Sequence, residues 1–176
     1  MLDRIKNTLF YRAFHTQTIN KPHKPLLSIK GGTVIILFNG TREEDRKTVH
    51  RFKKKLTASG AASVKSLAYV DNKLPLDNVD YAAYNKKNIN WYGVPSGEKV
   101  DAFIQLPADI LIVLCPEMLP HYEYIIAHSR AQFIIGPDII NSTTYFNLTV
   151  QHPASDNLED MVHALTKAVD VIAEKP

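Results

Sequence analysis

A single cysteine, Cys115, stands among 176 residues, so an intrachain disulfide framework is excluded and a reducing compartment, the cytoplasm, is the expected home. Long hydrophobic runs are missing as well. The apolar stretches are strand-sized, far below the ~20 residues that cross a bilayer, which excludes a transmembrane helix. The opening residues Met1-Leu-Asp-Arg-Ile-Lys mix charge with apolar side chains where a secretory signal would be continuously apolar. Without an export signal, the Asn-x-Ser/Thr triplets at Asn39, Asn141 and Asn147 read as chance matches. Glycine is scarce, with seven in the chain. After the first strand only Gly40 is available where a dinucleotide fingerprint needs three glycines, and Gly31-Gly32 precede that strand. A glycine-rich loop ending in Lys-Ser/Thr is absent, which excludes P-loop nucleotide chemistry. His50, His121, His128, His152 and His163 have no metal-ligand spacing with the cysteine, so no metal site is expected, and no pattern selects a flavin or any other cofactor.

What is present is an ordinary globular composition, 45% hydrophobic, with an uneven charge distribution. Residues 1–60 carry a net +9, residues 61–100 a net +1 and residues 101–176 a net −7, which together give the overall +3. Such a gradient either builds a basic face for an anionic partner or draws the two ends of the chain together within the fold.

Residues 2–14 show a one-sided apolar stripe (Leu2, Ile5, Leu9, Ala13) with Phe10 and Phe14 beside it and Arg4, Lys6 and Arg12 off it. They predict a basic amphipathic helix. Residues 15–32, punctuated by Pro22, Pro25, Gly31 and Gly32, predict a tether, so 1–32 forms an appendage and 33–176 an α/β domain. Thr33–Phe38 is continuously apolar and β-branched, the pattern of a strand covered on both faces of a parallel sheet. Thr41 with Glu44 offers a capping box for a helix over 42–58, ended by Gly60. Further strands are predicted at 64–70, 109–115, 131–135 and 144–150, and helices at 97–106 (capped by Ser96), 120–129 and 156–173. Residues 71–96 hold no long periodic element. The expected architecture is a three-layer sandwich with a five-stranded, mostly parallel sheet, flavodoxin-like with order 2-1-3-4-5 or Rossmann-like, plus the N-terminal helix.

Ligands of open parallel sheets sit beyond the carboxyl ends of the strands, where the strand order reverses. Asn39, Gly40 and Thr41 after the first strand, and Cys115, Pro116 and Glu117 after the third, flank that point. Each also has a plain structural role, as a turn, a buried thiol or a surface carboxylate. The run Arg51-Phe52-Lys53-Lys54-Lys55, with Arg46 and Lys47 before it, offers a basic face that is either a footprint for a protein, nucleic-acid or membrane partner or a solvated helix surface. Asn90 and Trp91 stand in the irregular segment, where an aromatic ring beside amides can stack on a planar ligand, or can pin the loop to the core.

The stretch Lys86-Lys87-Asn88-Ile89-Asn90-Trp91-Tyr92-Gly93 resembles the Lys-x-Asp/Asn-x-Asn-Trp-x-Gly segment of a small protein family of the Bacteroidota whose function is unknown. The order of a basic N-terminal helix, a Val/Ile strand near residue 34 and the strand Asp109-Ile-Leu-Ile112 is similar too. Leu114-Cys115-Pro116 departs from the Asn or Tyr residues frequent there in the family, which weakens any role for Cys115. The resemblance implies the fold and supplies no activity. The leading expectation is a non-enzymatic binding or accessory protein, acting through the basic face or the loop around Trp91. The alternative is a small enzyme or ligand-binding domain with a pocket at the strand ends. A third is an oligomer assembled through the N-terminal helix.

Overall fold

The computed structural model describes residues 2–14, 29–73, 76, 81–139, 145–151 and 157–173. Most of the expected tether, together with Thr144 and Asp156, lies outside the described residues. The architecture is α/β, with one parallel sheet of six strands in the order β3-β2-β1-β4-β5-β6. The strands are β1 (Thr33–Asn39), β2 (Ser63–Val70), β3 (Ala83–Asn85), β4 (Pro107–Leu114), β5 (Arg130–Pro137) and β6 (Leu148–Val150). Six strands correct the expected five. The added one, β3, pairs with β2 only over Ala68–Val70, and three residues are too short to show a period. The other five keep the expected relative order.

The continuous apolar run of β1 becomes a strand buried from Val34 to Phe38. Its side chains alternate between two cores. Val34, Ile36 and Phe38 pack with α2 (Glu43–Ala58) and α5 (Leu158–Ala173), through Val49, Phe52, Leu56, Leu158, Met161 and Leu165. Ile35 and Leu37 pack on the opposite face with α3 (Glu98–Gln105) and α4 (Pro120–His128), through Val100, Phe103, Ile104, Tyr122, Ile125 and Ile126. Each fully buried branched side chain contributes ~1.5–3 kcal/mol, so a sheet apolar on both faces needs helices on both. Between β2 and β3 the described residues hold no helix, and on the α2 side the outer part of β2 has no helix above it but a groove.

The caps differ from expectation in detail. Gly60 follows the end of α2 at φ +100°, as a glycine after the C-cap should. At the other end Arg42 is the N-cap without a side-chain cap bond, because the Thr41 hydroxyl accepts the amide of Asp71 instead. Glu43, Glu44 and Asp45 fill the first turn, where carboxylates complement the helix dipole. Gly97, not Ser96, caps α3, at φ +121°. Helix α1 (Leu2–Phe14) packs against α4. Phe10 is its buried contact at 4% exposure, while Ile5 of the expected stripe stays 49% exposed.

Candidate functional site

At the carboxyl ends of the strands the described residues build a polar network. The backbone amide of Thr41 donates to Asn39 Oδ1 at 3.1 Å, so these two residues form one turn. The Gly40 amide donates to the Tyr69 carbonyl, and Arg46 Nη1 donates to the carbonyls of Gly40 and Thr41. Arg46 thus spends its charge on the turn, with its guanidinium 5.8 Å from the Tyr81 ring. The carboxylates at the start of α2 oppose an anion at the position where a phosphate would sit in this topology.

Beside that turn, Tyr69 Oη donates to Asp71 Oδ1 at 3.0 Å, and Asp71 pairs with Lys86. Lys86, more than any other neighbour, holds the Asp71 carboxyl below its ordinary value, whereas burial first and then Asp71 push Tyr69 up to about 12. Tyr84 Oη lies 2.8 Å from His121 Nδ1, both side chains buried. Burial lowers the His121 imidazole to about 4, so at neutral pH it is uncharged. Its ring stacks 4.4 Å from Tyr69 and 4.2 Å from Tyr122. Cys115 is fully buried next door, its thiol raised by desolvation and its Sγ 3.9 Å from the Leu37 carbonyl. The buried Tyr122 hydroxyl rests against that thiol without a well-formed hydrogen bond. A thiol held protonated in an apolar core is a poor nucleophile.

The expected site residues are only partly brought together. Asn39 and Thr41 meet, and Cys115 lies in the core below. Glu117 is exposed in the turn after β4. Asn90 is structural: its Oδ1 accepts the amides of Tyr92 and Val94, and Gly93 at φ +98° completes the turn against Pro120 and Phe10. Trp91 is displayed from that rigid turn at 58% exposure, edge-on to Tyr92. Among the described residues no hydrogen bond, ion pair or ring contact joins Trp91 or Glu117 to Asn39, Thr41 or Cys115.

A second feature lies on the α2 face. A groove of about 1010 Å³ runs between α2 and the outer edge of β2. Phe38, Val49, Val64, Tyr81 and Ala82 supply its apolar lining. Arg46, Lys47, Arg51 and Lys53 of α2 line it too, against one carboxylate, Glu43, which is already paired with Lys47 at 2.8 Å; Lys65 also borders it, but as the partner of Ile35 it alternates onto the opposite face of the sheet. Lys53 extends across α2 to within 3.4 Å of Ser66 Oγ on β2. Of the basic run, Arg51 and Lys53 therefore line the groove, while Lys54 and Lys55 are exposed on the helix and outside its lining. Sequence reasoning missed Lys65, Ser66 and Tyr81. They border the groove through the pairing of β2 with β1 and because no helix stands among the described residues between β2 and β3, and neither is visible in local periodicity. It also missed the pairing of His121 with Tyr84, which are 37 positions apart.

The chain belongs to a family of unknown function (DUF6913), whose model matches residues 8–172. No curated protein and no solved structure matches it.

Proposed function

We propose that the chain is a binding protein that takes an anionic partner in the groove between α2 and β2, without catalysing a reaction on it. The observation that carries this reading is the groove itself: an apolar floor, the cationic side chains Arg46, Lys47, Arg51 and Lys53 of α2, and one carboxylate, Glu43, already paired with Lys47. Lys53 has no carboxylate partner among the described residues, and its Nζ lies 3.4 Å from Ser66 Oγ. Cations held beside an apolar surface attract an anion and lose little by desolvation when an amphipathic ligand covers them. The strand ends support the same reading from the other side. Cys115 is buried and protonated, and Glu117 and Trp91 are exposed away from it.

The order β3-β2-β1-β4-β5-β6 is that of Rossmann-like doubly wound sheets, and the switch in order falls between β1 and β4. We propose that the chain shares this topology without the dinucleotide site, since the turn after β1 has one glycine and leads into three carboxylates. The resemblance to a Bacteroidota family, a cytoplasmic location and a division into an appendage over 1–32 and a domain over 33–176 fit this reading.

The test is fluorescence anisotropy with a labelled peptide of alternating Glu and Val as the anionic probe. Lys47→Glu/Lys53→Glu should weaken binding at least tenfold and flatten its salt dependence. Arg4→Glu/Lys6→Glu on α1 reverses as much charge on the opposite face of the sheet and should change binding less than threefold. Equal losses for both pairs would reduce the effect to net charge and remove the groove.

The alternative, a ligand site at the strand ends, has one observation of its own: the Tyr69–Asp71–Lys86 and Tyr84–His121 pairs converge there with Asn39 and Thr41 close by. It requires that a small molecule retained through purification be displaced by Tyr84→Phe. Native mass spectrometry showing each protein at its own ligand-free polypeptide mass excludes it.

A further inference from the structure

Among the described residues the exposed large hydrophobic side chains are Ile5, Tyr11 and Trp91, and all of them fall in one region. Ile5 and Tyr11 belong to α1. Trp91 belongs to the turn on which α1 docks, where a Cβ on Gly93 would lie 3.7 Å from Phe10 Cδ2. Every residue from Asp3 to Thr8 is exposed, Leu9 is half-buried and Phe10 is buried. The first half of α1 therefore stands clear of the body as a convex ridge. Its Thr8 Oγ1 donates to the Arg4 carbonyl at 2.8 Å, a bond within the helix itself. Ile5 and Leu9 are one turn apart on one side of the ridge. Arg4 and Lys6 project about 100° to either side of Ile5. The helix carries Arg4, Lys6 and Arg12 against one carboxylate, Asp3.

We infer that α1 and Trp91 form a docking surface for an anionic lipid bilayer. The surface lies on the α4 side of the sheet, opposite the α2 groove, and stands independently of the groove reading. Ile5 and Leu9 enter the boundary between headgroups and acyl chains, as the apolar side of an interfacial helix does. The long stems of Arg4 and Lys6 let their charges reach lipid phosphates on both sides of that apolar line. Trp91 suits the headgroup level, since its indole joins an apolar body to an N–H donor. Asn90 Oδ1 accepts the amides of Tyr92 and Val94, so this ring is carried on a fixed turn. Shape and charge decide the occupant. A convex ridge offers a peptide no cleft, and a nucleic acid would engage the cations while leaving Ile5 in water. A second copy paired through α1 would bring cations toward cations over a helix only ~20 Å long. Two apolar side chains also cover far less than the ~800 Å² per partner of a stable interface. An anionic bilayer meets the cations with opposite charge and covers the apolar side chains without any matching of shape.

Trp91 is the only tryptophan in the chain, so its emission reports this docking directly. The native chain should cosediment with vesicles of equimolar phosphatidylcholine and phosphatidylglycerol, with the emission shifted to the blue. It should bind vesicles of phosphatidylcholine alone at least tenfold more weakly. Ile5→Glu and Arg4→Glu/Lys6→Glu should each weaken binding to the anionic vesicles at least tenfold. All three positions are exposed, so these variants keep the fold. Lys47→Glu/Lys53→Glu, which reverses charge in the α2 groove, should bind the vesicles within threefold of the native chain. Equal losses for the two paired variants would reduce the effect to net charge and overturn the surface. So would binding that leaves the Trp91 emission unmoved, or binding that Ile5→Glu leaves intact. Failure of the native chain to bind anionic vesicles while it still binds the Glu/Val peptide overturns the lipid surface and leaves the groove standing. A concentration-dependent dimer in the absence of lipid, abolished by Ile5→Glu, overturns the bilayer as occupant.

Discussion

At the scale of single residues, two positions carry consequences that no motif announces. A Cβ on Gly136 would run into the Phe146 ring, which seats directly on the β5 backbone. Gly136→Ala should therefore cost about 1–3 kcal/mol, read as a lower urea midpoint with an unchanged slope. An unchanged midpoint would mean that Phe146 moves aside freely. His121 is held uncharged by burial, with its folded value near 4 below an ordinary value of 6.5. The unfolded chain then takes up a proton that the folded chain refuses. Stability is full above pH ~6.5 and falls as the pH drops toward 4, by an amount on the order of 3 kcal/mol. His121→Gln should remove most of that acid-side loss while costing stability at pH 7 through the Tyr84 hydroxyl it leaves poorly matched. If the native chain and the variant lose stability in parallel between pH 7 and 4.5, the imidazole is not the group responsible. The histidine was plain in the sequence, but its state was not. Tyr84, Tyr69 and Tyr122 reach it from three different elements, so its environment is a product of the sheet order.

At the scale of elements, long periodic segments were legible and short or cap-defined ones were not. The apolar run of β1, the helix ended by Gly60 and the stripe of Leu158, Met161 and Leu165 fall where their patterns place them. β3 escaped because three residues carry no period, and the Asn85 capping box that follows it resembles loop composition. The Asn-rich stretch turned out to be turn chemistry: Asn85, Asn88 and Asn90 each hold neighbouring backbone amides, and Trp91 is what the turn displays. Helix α1 was predicted correctly, but not its docking side. Ile5 of the stripe is exposed while Leu9 and Ala13 are half-buried, and Phe10 makes the contact near Pro120 and Gly93. Phe10→Ala should therefore release α1. Its amides should lose at least tenfold of their exchange protection, while those of β1 and β4 keep theirs. Loss of protection throughout the sheet would show instead that α1 is integral to the core.

At the scale of the whole molecule, the charge gradient along the chain becomes a gradient across α2. Its flank toward α5 is mixed: Arg51 pairs with Glu159 at 3.2 Å, and Arg42 with Asp45 at 2.8 Å. Its flank toward β2 keeps Arg46, Lys47 and Lys53 around one carboxylate, Glu43, paired with Lys47. Glu159 of the acidic C-terminal half thus pairs with one side of the basic helix, and the proposed function assigns the other side to a partner. Only the three-dimensional arrangement could separate the flanks, because Arg51 and Lys53 stand two positions apart on one helix yet reach Glu159 and Ser66 on different neighbours. The measurement that tests this account most directly is a map of backbone amide shifts as the acidic Glu/Val peptide is added to the native chain. The account predicts perturbations confined to residues 46–53 of α2, 63–66 of β2 and 81–82, saturating together. Perturbations centred on Thr41, Asp71 and His121, with α2 and the β2 edge silent, would contradict it and place the site at the strand ends.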